Sequence, residues 1–292
     1  MLTVLAPGPL ATVQDRGRPG WASIGVTRSG AADRAAAALA NRLVGNGPSA
    51  AVIEGTAGGL RVRAERTVLV AVTGAPVPLA VDGRPAALNA PLTLRPGAEL
   101  ALGLPAVGLR SYLAVRGGVD VPEVLGSRST DTLSGLGPAP LRAGDVLRVG
   151  SLAADEPVVD VAAVRPPSTR PVVRVLPGPR RDWLLPGTWS ALTSAEWTVS
   201  ADSDRVGLRL TGPRLHRSRE DELPSEGLMP GALQVPPDGA PVLFLADHPV
   251  TGGYPVVGVV SPEALASCAQ ARPGDRVRFR RPRPHPPRRR SR

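Results

Sequence analysis

The sequence contains no lysine: all 35 basic residues among its 292 are arginine. That absence excludes a biotinyl-lysine, a lysine Schiff base and a lysine-bearing phosphate loop on this chain. One cysteine, Cys268, excludes an intrachain disulfide and a cysteine-built zinc site. Histidine is almost as scarce, with only His216, His248 and His285, and no G-x-S-x-G elbow or H-E-x-x-H motif occurs. No metal site is therefore expected, and any chemistry rests on carboxylates, hydroxyls, arginines and backbone amides. Aromatic residues make up 3% of the chain, too few to stack on bases, so no specific nucleic-acid partner is expected. No run of 18 apolar residues occurs, and the N-terminus lacks a basic region followed by a long apolar one. Neither a membrane partner nor a secretory route is expected, and the cytoplasm is the expected location.

What is abundant is arginine, glycine and proline. The formal charge is +10, but seven arginines lie from Arg280 onward, and without them the charge falls to +3. The body is near neutral, and the closing Arg/Pro stretch, 281–292, lacks the apolar residues needed to fold. The 33 glycines and 34 prolines predict many turns and short strands. Strands are expected at Thr67–Val72, Val77–Val81, Ser111–Val115, Val172–Leu176 and Val256–Val260, with a tight hairpin at Asp82-Gly83. Helices are few: Ala31–Val44 with Ser29 as cap, Pro262–Ala271 with Ser261 as cap, and a weaker one over Asp182–Leu192.

The two halves echo each other. Val4-Leu5-Ala6-Pro7-Gly8-Pro9 resembles Val175-Leu176-Pro177-Gly178-Pro179, and Arg142-Ala143-Gly144-Asp145 resembles Arg272-Pro273-Gly274-Asp275. Between them, Ser151–Pro171 reads as a linker. The expected layout is a β domain over 1–150, a linker over 151–170 and a second β domain over 171–280.

Five stretches are too polar and glycine-rich to be mere core: Thr12–Gly20, Arg110–Asp120, Ser203–Gly207, Ser225–Pro237 and Asp247–Pro255. With Ser29-Gly30-Ala31-Ala32-Asp33, Asn41–Asn46, Gly126–Thr130 and the closing Arg272–Asp275, they run in order along nearly the whole chain. Together they resemble the biotin-dependent carboxyltransferase family, also called the allophanate hydrolase subunit 2 or KipA family. Among its bacterial members is the C subunit of the ATP-dependent 5-oxoprolinase. The resemblance implies a mainly β fold of two cyclophilin-like β-barrels with a few short helices. It implies ring opening of 5-oxo-L-proline to L-glutamate with ATP as cofactor, its site shared with a partner. The implied partners are the 5-oxoprolinase B subunit (KipI-like) and the A subunit, in a hetero-oligomer inactive without them. Two alternatives remain open: a carboxyltransferase component of a urea carboxylase-like enzyme, and a regulatory protein that antagonises a KipI-like kinase inhibitor. Two positions depart from the family pattern: Val250 stands where threonine is usual, and Val206 where methionine is common.

Residue by residue, each candidate carries two readings. The amides and hydroxyl of Thr251-Gly252-Gly253-Tyr254 suit a substrate carbonyl or carboxylate, or form a tight strand-entry turn. Arg205 suits a bidentate grip on a substrate carboxylate, with Asp204 beside it as a candidate catalytic acid, or the two form an internal pair. Glu226 is a candidate base or a surface acid, and Gln234 a group that orients the substrate amide. Asp247 with His248 is a candidate acid–base pair, although neighbours on a strand face opposite ways. Gln14, Asp15 and Arg16 form a site loop or a partner contact. Arg110 shares a strand face with Tyr112, so it needs a partner there and is a candidate substrate-binding residue. Asp33 is expected at a helix start, where it complements the dipole, and Glu54 is left undecided.

Overall fold

A computed structural model gives the protein's structure over residues 1–221 and 223–282. The expectation of a disordered tail over 281–292 falls, from residue 283 on, outside the described residues. The fold is mainly β, with three α-helices among the described residues.

In the first half, two sheets face each other. One has seven strands, with Leu2–Pro7 and Leu60–Ala64 near its middle. The other has five, in spatial order Leu10–Gln14, Val52–Thr56, Arg110–Val115, Val68–Gly74 and Pro91–Leu94. Alternate residues such as Leu2, Val4, Ile53, Val62, Val70 and Leu113 point between the sheets and form the core. The helix Arg34–Leu43 covers the outer face of the five-stranded sheet, setting Ala37, Ala40 and Leu43 against Val52, Ala71 and Tyr112. The central strand Arg110–Val115 is thus covered on both sides, and all six of its residues are buried.

In the second half, seven strands close into a barrel. They run Val172–Pro177, Val256–Val260, Ala232–Gln234, Val242–Phe244, Gly207–Thr211, Glu196–Val199 and Arg276–Arg280. Trp197, Phe279, Val175 and Leu243 fill the interior, and Trp197 donates its indole N–H to the Leu192 carbonyl at 3.1 Å. The segment between the halves lies along the first: Arg116 holds the Asp155 carbonyl at 2.7 Å and the Glu156 carboxylate at 2.7 Å.

The echo between halves has a structural counterpart. In each half the opening strand pairs with the closing one, antiparallel in the first (Leu2 with Leu147) and parallel in the second (Val172 with Arg278). The closing turns match atom for atom. The Arg142 and Arg272 amides donate to Asp145 Oδ2 and Asp275 Oδ2 at 2.7 and 2.9 Å, with Gly144 and Gly274 at φ 92° and 88°. The hairpin at Asp82-Gly83 forms as expected, both residues having positive φ.

The helices differ from expectation at their edges. The first begins at Arg34, because Asp33 and not Ser29 caps it, accepting the Ala36 amide at 3.0 Å. Ser29 lies in the left-handed region at φ 52° and turns its hydroxyl elsewhere. The third opens at Pro262 as read but ends at Ala269 rather than Ala271, and Ser261 stands at the cap position without a side-chain capping bond. The expected Asp182–Leu192 helix is broken by Pro186-Gly187 into a 3-10 turn, Arg181–Trp183, and a helix, Thr188–Ser194.

Candidate substrate cleft and the buried ion network beneath it

The two halves meet over charge. Arg205, from the second half, is buried with Asp247 on one side and Glu54, from the first half, on the other. Its Nε donates to Asp247 Oδ2 at 2.8 Å, one terminal nitrogen donates to Glu54, and the other reaches the Gly30 carbonyl at 2.8 Å. Asp247 accepts further bonds across the boundary, from the Ser29 hydroxyl at 2.6 Å and from the Thr132 amide and hydroxyl at 2.9 and 2.8 Å. Glu54 accepts the Ala32 amide at 2.9 Å and lies 3.6 Å from Arg110. Arg110 donates to the Ala269 and Asp204 carbonyls of the second half. Gln270 completes the seam, accepting the Arg110 amide at 2.9 Å and donating to Asp33 at 3.0 Å.

This network revises four expectations. Asp247 is fully buried and takes five hydrogen bonds, which favours a structural anion over an acid–base group. Burial alone would raise its carboxyl, but Arg205, with Ser29 and Thr132, outweighs it and holds the carboxyl below the usual range. Arg205 and Arg110 are spent on this interior rather than on a ligand. Asp204 does not pair with Arg205; its carboxylate accepts the Val206 and Gly207 amides at 2.8 and 3.1 Å, forming a turn. His248 is buried beside Asp247, and that burial keeps its imidazole below the ordinary value.

The pH dependence follows from the sign of these shifts. The depressed Asp247 contributes stability above about pH 4 that is lost as pH falls through its folded value. Asp33 works oppositely, because burial raises its carboxyl despite Gln270 and the Ala36 amide. Melting temperature should drop on acidification below about pH 4, and Asp247→Asn should flatten that drop. An unchanged acid limb in the variant would remove Asp247 from this role.

The remaining candidates gather on a two-stranded ribbon. Glu226–Gly227 pairs antiparallel with Thr251–Gly252. Gln234 is buried beneath and donates to the Tyr254 carbonyl at 2.8 Å. A Cβ on Gly252 would lie 3.0 Å from the Gln234 amide nitrogen, so glycine permits this close approach. Gly253 continues the turn, and Thr251 and Tyr254 are exposed. Glu226 is gripped by one edge of the Arg180 guanidinium, through Nε and a terminal nitrogen, which holds its carboxyl below the usual range. A carboxylate so held is a weak base, which counts against Glu226 as general base.

Above the seam lie two adjoining cavities. One, of about 480 Å³, is apolar and formed by both halves, with Ala31 and Ala35 facing Met229, Pro230, Leu245 and Leu265. The other, of about 320 Å³, is lined by Gln14, Asp15, Arg16, Arg28, Arg34 and Asn41. Arg28 and Arg34 belong to both. The segments that bring them together run side by side: the Arg18 amide donates to the Arg28 carbonyl at 2.8 Å, and the Ala31 amide to the Asp15 carbonyl at 3.0 Å. The sequence pattern points to Gln14, Asp15 and Arg16 but not to Arg28 and Arg34, nor to Ser29, Thr132 and Gln270, whose side-chain partners are distant in sequence. Among the described residues no group of three His, Cys, Asp or Glu side chains is placed to hold a metal.

Residues 24–281 match the family model described as carboxyltransferase domain, subdomain A and B. The chain belongs to this carboxyltransferase-domain family. It is 36% identical to the 5-oxoprolinase C subunit of Escherichia coli K12, over 96% of this chain and 90% of that one. It is 32% identical to the 5-oxoprolinase C subunit of Haemophilus influenzae, with the same coverage. The crystal structure of the K. lactis urea amidolyase superposes with a TM-score of 0.87 at 32% identity, over 95% of this chain. This carboxyltransferase-family chain spans only 18% of that much longer enzyme, so only the shared domain is compared. No helix among the described residues is long and apolar enough to cross a membrane.

Proposed function

We propose that this chain is the C subunit of an ATP-dependent 5-oxoprolinase, opening 5-oxo-L-proline to L-glutamate together with the B and A subunits. The observation that carries the reading is the 36% identity to a 5-oxoprolinase C subunit, over 90% of that protein's length. The cleft supports it: an apolar cavity beside a cationic one suits a small ring that bears a carboxylate. The exposed Thr251 hydroxyl and Tyr254 phenol offer donors for a carbonyl on the ribbon side. With no lysine, any nucleotide phosphate that reaches this chain is met by arginine, and a site shared with a partner fits that better than a self-contained loop. One buried cysteine accords with the cytoplasm.

The test is glutamate release from 5-oxo-L-proline and ATP by this chain mixed with its candidate partners, omitting each in turn. Release should require every component and be absent with this chain alone. Tight assembly with no glutamate would overturn the reading. It would favour the second one, a carboxyltransferase component in a urea-converting enzyme, which the superposition on urea amidolyase motivates.

A further inference from the structure

Three arginines share one cavity in which, among the described residues, no acid pairs with them. Arg16, Arg28 and Arg34 all line the 320 Å³ cavity, and none forms an ion pair among the described residues. Some other arginines do pair with acids, as in Arg61 with Glu99 or Arg116 with Glu156. The acid on this wall, Asp15, is committed to other groups: it accepts from the Ser127 and Ser129 hydroxyls and the Arg128 amide at 2.6 Å each, and from the Gly17 amide at 2.7 Å. The arginines feel one another: although much of the Arg34 side chain reaches solvent, the protein packed around its guanidinium, with Arg28 and Arg16, pulls it down to about 10.

A second observation concerns Gln14. It is fully buried on the same cavity wall, and its amide nitrogen donates to Thr12 Oγ1 at 3.0 Å and the Thr130 carbonyl at 2.9 Å. Its Oε1 has no partner. A buried acceptor left unpaired is unfavourable unless a donor comes to it.

We propose that this cavity binds a small oxyanion that also carries an N–H or O–H donor, the arginines taking the oxygens and Gln14 Oε1 the donor. Guanidinium groups suit carboxylate and phosphoryl oxygens by paired hydrogen bonds. The concavity and size fit a small molecule rather than a polymer. Two sources share this chemistry: a lactam acid, with a carboxylate and a ring N–H, and hydrogenphosphate, with its O–H. Naming 5-oxo-L-proline as the lactam acid rests on the 5-oxoprolinase reading; the site itself does not.

The experiment is calorimetric titration of the full chain at low ionic strength with inorganic phosphate, 5-oxo-L-proline and 2-pyrrolidinone, the same lactam without a carboxylate. At least one anion should bind, 2-pyrrolidinone should not, and added salt should weaken binding. The double variant Arg28→Gln/Arg34→Gln should lose about tenfold or more in affinity. Arg34→Gln alone, at an exposed helix start, should lose part of it, and Arg61→Gln none. Gln14→Leu should weaken the donor-bearing anion but not nitrate, which has no donor. Binding of 5-oxo-L-proline alone assigns the site to substrate carboxylate, and binding of phosphate alone to a phosphoryl group. No binding of either anion at millimolar concentration, or equal binding by the double variant, overturns the proposal. Because binding is read on this chain alone, its failure is separable from failure of the glutamate-release assay.

Discussion

Arg205→Met should destabilise the folded chain by about 3–5 kcal/mol, because it leaves two carboxylates buried without their shared cation. Asp247 would lose its only ion-pair partner among the described residues, and Glu54 would keep only Arg110 at 3.6 Å. Both acids are fully buried, so water cannot replace the guanidinium. Burial opposes the charge on Arg205, but Glu54 and Asp247 raise its affinity for the proton above the ordinary arginine value. Arg205→Lys should rescue only in part. A single ammonium cannot reach Asp247, Glu54 and the Gly30 carbonyl from one fixed plane. Urea unfolding of the three proteins measures this. A methionine variant that melts with the parent yet loses glutamate release would instead make Arg205 a ligand-binding residue.

Gly17→Ala should cost at least about 2 kcal/mol and also disturb the cationic cavity. Gly17 lies at φ 78°, and a Cβ there would sit 2.3 Å from the Arg28 carbonyl oxygen and 2.6 Å from that of Ser29. Both obstacles are backbone, so relief requires the two segments to part. Those segments carry Arg16 and Arg28, and the hydrogen bond from Arg28 Nε to the Arg16 carbonyl, at 3.3 Å, would go with them. Gly20→Ala is the control: φ is 97°, but nothing lies within 4 Å of its Cβ, so only the backbone strain of about 1–2 kcal/mol applies. The difference between the two melting curves reports the close approach alone. Equal losses would show that the segments can part without penalty.

The fold was largely legible because its signals are local. Asp82-Gly83 must turn, β-branched runs such as Val256–Val260 must extend, and Pro262 opens a helix. The misreadings were local choices settled by distant contacts. Ser29 had the composition of a cap, but its hydroxyl serves Asp247, 218 residues away, and Asp33 took the cap instead. Glu226 has the local setting of a free base, but Arg180, 46 residues earlier, holds it.

By itself the sequence determined the chemistry available: no lysine, one cysteine, and polar glycine-rich stretches in the order of a known family. It also determined the strand-and-turn alphabet, since alternation and turn residues act over a few positions. The tertiary structure decided which charges are spent on holding the halves together and which are left open. Arg205 and Arg16 are equally polar in the sequence. One is sealed between two acids, and the other faces a cavity and forms no ion pair among the described residues. That difference depends on neighbours brought together from both halves, because desolvation and Coulomb pairing act through space and not along the chain.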